Sequence, residues 1–148
     1  MMLEYHVLLH TQVKDVYEQA EKYLPDRLRT FDAFLQLYFR KDVMMFEIGH
    51  FAGCFWLADI IPGWRAGVHI ITWGEEAKHQ SVRAKGVLRE LMRMFRFKKL
   101  CSFVPVHFEA VARFAEKIGF VTEGVEKYGD YYDGNIVDLL ILAFFLED

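Results

Sequence analysis

Hydrophobic and polar positions along this chain follow two periods, one typical of strands and one typical of helices. Apolar runs rich in β-branched and aromatic residues predict strands over Leu3–Leu9, Val43–Ile48, Ala52–Ile60, Ala66–Trp73, Leu100–Val104, Phe120–Tyr128 and Ile136–Phe145. Apolar residues at helical spacing predict four helices, with buried stripes that include Val16, Phe34, Leu91 and Ile118. The resulting order β-α-α-β-β-β-α-β-α-β-β predicts an α+β fold.

Local residue choices mark several of the predicted boundaries. Thr11 can cap the first helix, in which the apolar face runs on to Leu24, and Pro25 interrupts it. Gly74–Val82 is predicted to be a polar loop, and Gly119 ends the last helix. The pair Asp133-Gly134 predicts a hairpin turn between the last two strands.

Composition narrows the class of protein. A length of 148 residues with 53% hydrophobic content is most simply one domain spanning residues 1–148. A net charge of −3 gives no general argument for nucleic acid. The longest late apolar run, Leu139–Leu146, is too short to cross a bilayer, and no secretory signal is visible, so we expect a cytoplasmic protein away from membranes. Cys54 and Cys101 sit in apolar runs without metal-binding spacing, so we expect neither a disulfide nor a metal.

A motif near the C-terminus carries more specific information. It consists of Arg113-Phe114-Ala115-Glu116-Lys117-Ile118-Gly119-Phe120, then Glu123-Gly124, Tyr131 or Tyr132, Asp133-Gly134 and Asp138. In this motif the chain resembles the C-terminal half of the Gcn5-related N-acetyltransferases, and the likeness extends from about residue 43 to the end. Pro105, the Ala115 position and His69 are similar to a divergent, phage-encoded subgroup of that superfamily.

The resemblance implies a fold and a cofactor. The fold is a mixed, mostly antiparallel sheet with helices on both faces, in which the fourth and fifth strands splay apart to admit acetyl-coenzyme A. The backbone of Ile71, Thr72 and Trp73 would then contact the thioester, and Phe108 and Phe114 would contact the rest of the cofactor. The pyrophosphate would lie on the segment that matches the family's phosphate-binding motif, namely Arg83, Ala84, Lys85, Gly86 and Val87.

The phosphate-binding assignment has an alternative. Leu88 departs from the family motif, where a small residue usually stands. Basic residues are frequent from Lys78 to Lys99, which suits coenzyme A phosphates but equally an acidic protein surface, a nucleic acid or simply a solvated helix face. Nucleic acid is the weakest of these interpretations.

Acetyl transfer to an amine needs a base and a donor for the leaving thiolate. His69 is the candidate base, because the pKa of a histidine lies near neutral pH, although a buried structural histidine is the alternative. Glu75, Glu76 and Asp59 could also act as base or bind a cationic acceptor. Tyr128 is the candidate donor, with Tyr131 and Tyr132 as alternatives.

Two family positions are replaced, and they motivate a second hypothesis. Phe108 takes the place of a usual Asn, and Ala115 that of the Tyr that often protonates the thiolate. The chain is therefore either an acetyltransferase that uses acetyl-coenzyme A and an amine acceptor, or a non-catalytic binding or assembly module, for example in a phage virion. The second hypothesis predicts a closed cleft, or one plugged by Phe108 or Trp73. A protein partner or a homo-oligomer stays open under both.

Overall fold

The computed structural model describes residues 5–49, 52–73 and 81–146. Within these ranges the strands are β1 (Tyr5–Val7), β2 (Met44–Ile48), β3 (Gly53–Ile61), β4 (Arg65–Thr72), β5 (Lys99–Pro105), β6 (Val121–Tyr132) and β7 (Asn135–Phe145). The α-helices are α1 (Val13–Ala20), α2 (Phe31–Tyr38), α3 (Ser81–Phe95) and α4 (Glu109–Ile118). The predicted order of elements is confirmed.

The strands form one seven-stranded sheet in the order β1-β2-β3-β4-β5-β7-β6. Every neighbouring pair is antiparallel except β4 and β5, which are parallel. The chain reaches β5 from β4 through α3, as a parallel connection requires a crossover. The predicted mixed, mostly antiparallel sheet is thus confirmed.

Helices cover both faces of the sheet and bury two separate cores. On one face α1 and α2 enclose a cluster that includes Val16, Phe34 and Trp56. On the other face α3 and α4 enclose a cluster that includes Leu91 and Ile118. Leu91 of α3 is buried as predicted, whereas Met94 near the end of the same helix is 62% exposed.

The first helical region differs from its prediction. Thr11 lies in a 3₁₀ turn, and Gln12 rather than Thr11 precedes α1. The Leu9 N–H donates to the Gln12 side-chain oxygen at 3.0 Å, which closes this turn before the helix begins. Helix α1 ends at Ala20, and 3₁₀ turns continue the chain to α2, whose N-cap Thr30 accepts the Ala33 N–H at 3.1 Å.

The C-terminal hairpin is longer than predicted. Strand β6 continues past Tyr128 to Tyr132 because a register shift between Glu126 and Asp130 absorbs the extra residues. Asp133 and Gly134 form the predicted turn, with φ values of 52° and 79°. This extension carries the end of the hairpin towards the segment between α1 and α2.

Candidate functional site

The functional site candidate is a cleft between β4 and β5. The two strands pair only from Arg65 to Gly67 against Lys99 to Cys101, although β4 continues to Thr72 and β5 to Pro105. Beyond Gly67 the strands therefore diverge, as predicted. The cleft has a volume of about 910 Å³.

Four parts of the chain line the cleft. Its floor consists of the diverging ends of β4 and β5, and one wall is the start of α4 with Phe108, Val111 and Phe114. The opposite wall is the segment from Tyr23 to Leu28, between α1 and α2. The end of the β6–β7 hairpin, with Asp130 and Tyr132, completes the enclosure.

Hydrogen bonds attach the α1–α2 segment to this hairpin. The Asp26 carboxylate accepts the backbone N–H groups of Asp133 and Gly134, both at 2.8 Å. Arg29 forms an ion pair with Asp133, and Arg27 Nη2 donates to Asp130 Oδ2 at 3.2 Å. These contacts join residues more than a hundred positions apart in the chain and hold the two walls together.

His69 lies on β4 where the strand leaves β5, and its side chain lines the cleft. Its ring stacks on Trp56 of β3, with centroids 4.9 Å apart and an angle of 15° between the planes. The pKa of His69 is lowered to about 4, first by burial and then by the Arg27 charge, whereas Asp59 and Asp130 oppose the shift. His69 is therefore neutral at neutral pH and can accept a hydrogen bond, but it is a weaker base than the near-neutral pKa expected from the sequence would make it.

Tyr132 also lines the cleft, edge-on to Phe108 with ring centroids 5.4 Å apart. Burial, helped by the nearby Asp130 carboxylate, raises the pKa of Tyr132 to about 12. Its hydroxyl therefore keeps its proton and can donate a hydrogen bond. Tyr128, the predicted donor, lies elsewhere: it is 78% exposed, outside the described lining of the cleft, and its N–H donates to the Asp138 carboxylate at 2.9 Å.

The structure brings some of the predicted cofactor residues to the cleft. Ile71, Thr72, Phe108 and Phe114 all line it. Trp73 does not belong to the described lining; it packs against the core on the α1–α2 face. Glu75, predicted as a second candidate base, lies outside the described residues.

The predicted phosphate-binding residues, numbers 83–87, lie within α3 and are absent from the described lining. Ala84 and Val87 are buried in the core, and Lys85 lies against Gly119, whose added Cβ would be 3.6 Å from the Lys85 ammonium. Leu88 is also a core residue, which accounts for its departure from a small residue. At this end Ser81 borders the cleft.

Sequence reasoning missed two basic residues of α4. Arg113 and Lys117 line the cleft one helical turn apart, next to Val111 and Phe114. Their spacing of four residues, which puts them on one helix face, was the available signal. Arg27, Arg40 and Asp130 also line the cleft, but no local sequence pattern predicts this, because only the tertiary fold brings these residues together.

Neither cysteine lies in the described lining. Burial raises the pKa of the Cys54 thiol, which suits a core residue and not a nucleophile. Cys101 is buried as well, and Arg65 Nη2 donates to its sulfur at 3.0 Å. The described ranges contain no group of His, Cys, Asp and Glu side chains arranged for a metal ion, and no helix long and apolar enough to cross a membrane.

The cleft is open. The non-catalytic hypothesis predicted a closed cleft or one plugged by Phe108 or Trp73. Phe108 instead stands in the wall against Tyr132, and Trp73 packs into the neighbouring core.

Comparison with known proteins gives matches at the level of structure. No protein-family model matches the chain, and a search of curated proteins finds no significant match. A point mutant of the spermidine N-acetyltransferase SpeG from Vibrio cholerae superposes with a TM-score of 0.81 at 17% identity, covering 98% of this chain and 94% of that chain. A dodecameric structure of the Vibrio cholerae enzyme in an intermediate state gives a TM-score of 0.78 at 17% identity, again covering 98% and 94%.

A third structure, the Vibrio cholerae enzyme in complex with coenzyme A and spermine, has a TM-score of 0.76 at 16% identity, covering 98% of this chain and 96% of that chain. The likeness therefore extends over nearly the whole of both chains, including the parallel β4–β5 pair. The chain has the fold of the Gcn5-related N-acetyltransferases.

Proposed function

We propose that this chain is an acetyl-coenzyme A-dependent N-acetyltransferase that transfers the acetyl group directly to an amine of a small molecule or protein. The observation that carries the proposal is the opening of β4 from β5 beyond Gly67 and Cys101, beside a partly buried His69. The structural neighbour that contains coenzyme A supports the same use of the fold.

The thioester arm would lie along β4. The N–H groups of a strand alternate between its two edges, and the Trp73 N–H donates to the Ala52 carbonyl on the β3 side at 3.1 Å, so the Ile71 N–H faces β3 as well. The N–H of Thr72 faces the other edge, where β4 no longer pairs with β5, and is suited to polarise the thioester carbonyl. Phe108 and Phe114 would contact the apolar part of the arm. Phe108 offers no hydrogen bond, so the family's usual polar contact at this point is replaced by an apolar one.

The phosphates would lie at the start of α3 and beside α4. The positive end of a helix attracts anions, and Ser81 places that end at the cleft. Arg83 would add charge from α3, and Arg113 and Lys117 from α4. Lys85 would contribute less positive charge to the phosphate site than the sequence suggests, because its ammonium group lies against Gly119.

In the chemical step the neutral amine attacks the thioester carbonyl carbon, so that a C–N bond forms and the C–S bond breaks. The nitrogen of the tetrahedral intermediate loses its proton to His69, directly or through water. The leaving thiolate takes a proton from Tyr132, which stands in for the tyrosine that the family places at Ala115. No covalent enzyme intermediate is needed, in line with the burial of Cys54 and Cys101.

Calorimetric titration with acetyl-coenzyme A and with coenzyme A tests the proposal. We expect micromolar binding that weakens at least about tenfold in Arg113→Glu, because a phosphate contact becomes a repulsion. Arg93→Glu is the matched control, since Arg93 is exposed on α3 away from the cleft. Absence of binding at millimolar ligand would refute the proposal and leave the non-catalytic module, with its phage-assembly role, as the hypothesis to pursue.

A further inference from the structure

The end of the cleft at His69 contains more than the proposed base and donor. Arg27 and Asp130 form an ion pair across it, and Arg40 Nη2 donates to Asp59 at 3.1 Å nearby. Both pairs line the cleft together with His69 and Tyr132. We call this region the His69 end, and it is where the acceptor amine would meet the thioester.

Each of the two carboxylates here has a guanidinium partner. Asp130 is 14% exposed and pairs with Arg27, whose side chain is 63% exposed. Asp59 shares Arg40 with Asp42, which Arg40 Nη2 contacts at 2.7 Å. Glu126 of β6, which is exposed, is the third carboxylate of the described lining. The Arg27–Asp130 pair therefore presents one cation and one anion side by side, with the cation as the more exposed partner.

We propose that the acceptor is a compact amine that carries a carboxylate close to the reacting nitrogen, of which an α-amino acid is the simplest example. This rests on the proposed acetyltransferase function. The reacting amine must be neutral to attack. The other charged group of the acceptor therefore decides how well the acceptor fits the Arg27–Asp130 pair. A carboxylate can bind the Arg27 guanidinium through two parallel hydrogen bonds, whereas a second ammonium group is repelled by it.

The Arg27–Asp130 ion pair can exchange partners with such a ligand without leaving a buried charge unpaired. When a substrate carboxylate takes Arg27, the Asp130 carboxylate is released beside the amine and can accept one of its N–H groups. Asp130 is the less exposed partner, so a ligand that supplies both a donor and an anion restores both partnerships. Arg27, being more exposed, has the freedom to turn from one partner to the other.

The rest of this end is apolar. Leu28 and Leu37 line it from the α1–α2 side, and Phe108 and Tyr132 line it from the other. An acceptor with an aliphatic or aromatic side chain would therefore bury that side chain there.

The experiment measures coenzyme A release with matched acceptors: leucine and phenylalanine, their carboxamides, the corresponding decarboxylated amines, and spermidine. We expect the free acids to have a kcat/KM at least about tenfold above that of the carboxamides and amines, because only the acids can form a charge-assisted hydrogen bond with Arg27. Arg27→Gln should reduce this ratio to about one while acetyl-coenzyme A binding is unchanged. Arg93→Gln is the control and should keep the ratio.

The outcomes separate the two proposals. Spermidine or a decarboxylated amine accepted as well as the acids would overturn the acceptor class while the acetyltransferase function stands. Acetyl-coenzyme A binding without acetylation of either acid would also overturn the acceptor class. Failure to bind acetyl-coenzyme A at all would remove the acetyltransferase function and, with it, this inference.

Discussion

The imidazole of His69 lies flat on the indole of Trp56, with ring centroids 4.9 Å apart. The two residues are cross-strand neighbours on β3 and β4, so the stack follows directly from the register of the sheet. Trp56 is buried in the α1–α2 core and holds the imidazole at the edge of the cleft.

This setting predicts a pH-dependent stability. The unfolded chain binds a proton at a histidine below about pH 6.5, whereas folded His69 does so only below about 4. Between these values the unfolded state holds more protons, so the free energy of unfolding falls as pH falls from about 6.5 to about 4, by at most about 3 kcal/mol. Urea denaturation across this range should show a shallower fall in His69→Gln. Equal slopes would mean that His69 titrates alike in both states.

The proton-donor assignment predicts a contrast between two tyrosines. Tyr132→Phe should lower the acetylation rate about a hundredfold, because the leaving thiolate loses its donor, without weakening acetyl-coenzyme A binding. Tyr128→Phe is the control and should retain wild-type activity, since that side chain points into solvent. Steady-state kinetics decide between them, and equal rates in the two variants would remove Tyr132 from the mechanism.

Asp26 links the two walls of the cleft through its hydrogen bonds to the hairpin turn, so its removal should loosen them. Asp26→Ala removes the acceptor for the N–H groups of Asp133 and Gly134, so these two amides should exchange with solvent faster. We expect a higher KM for the acceptor and an unchanged Kd for acetyl-coenzyme A. Asp32→Ala, which removes an exposed helix contact to Gln36, is the control. Unchanged exchange at both amides would show that the walls are held by other contacts.

Gly119 is held at positive φ beside a buried ring, so a side chain at this position should destabilise the fold. At φ 121° a side chain is strained, and an added Cβ would lie 3.2 Å from the Phe144 ring. Gly119→Ala should lower the free energy of unfolding by about 1–3 kcal/mol. Gly63→Ala, also at positive φ but with nothing within 4 Å, should cost less. Urea denaturation of both variants tests the order, and the reverse order would contradict the packing argument.

The sequence was most informative where one short segment decides the outcome. The order of elements, the splayed β4–β5 pair and the helix end at Gly119 all depend on local periodicity or on a motif of a few residues. The end of β6 was misplaced because a register shift depends on its partner strand, β7, and has no local pattern. Thr11 is wrong as a cap because the Gln12 side chain accepts the Leu9 N–H and closes a 3₁₀ turn before the helix begins.

The candidate site divides in the same way. His69, Ile71 and Thr72 could be predicted because strand alternation and position fix where they lie. Tyr132 could be named only as one of three tyrosines, because the bulge in β6 decides which of them reaches the cleft. The pairing of Arg27 with Asp130 could not be predicted, since it spans most of the chain and depends on the docking of the α1–α2 segment against the hairpin.

The short pairing between β4 and β5 has a mechanical consequence. The sheet is two antiparallel units, β1 to β4 and β5 with β7 and β6, and in the described residues only three residue pairs join them side by side. A ligand lying in the opening touches both units and supplies cohesion that the backbone ladder lacks there. Ligand binding in the cleft should therefore make the two units more rigid relative to each other. Without a ligand, the protein should bend at the short β4–β5 pairing.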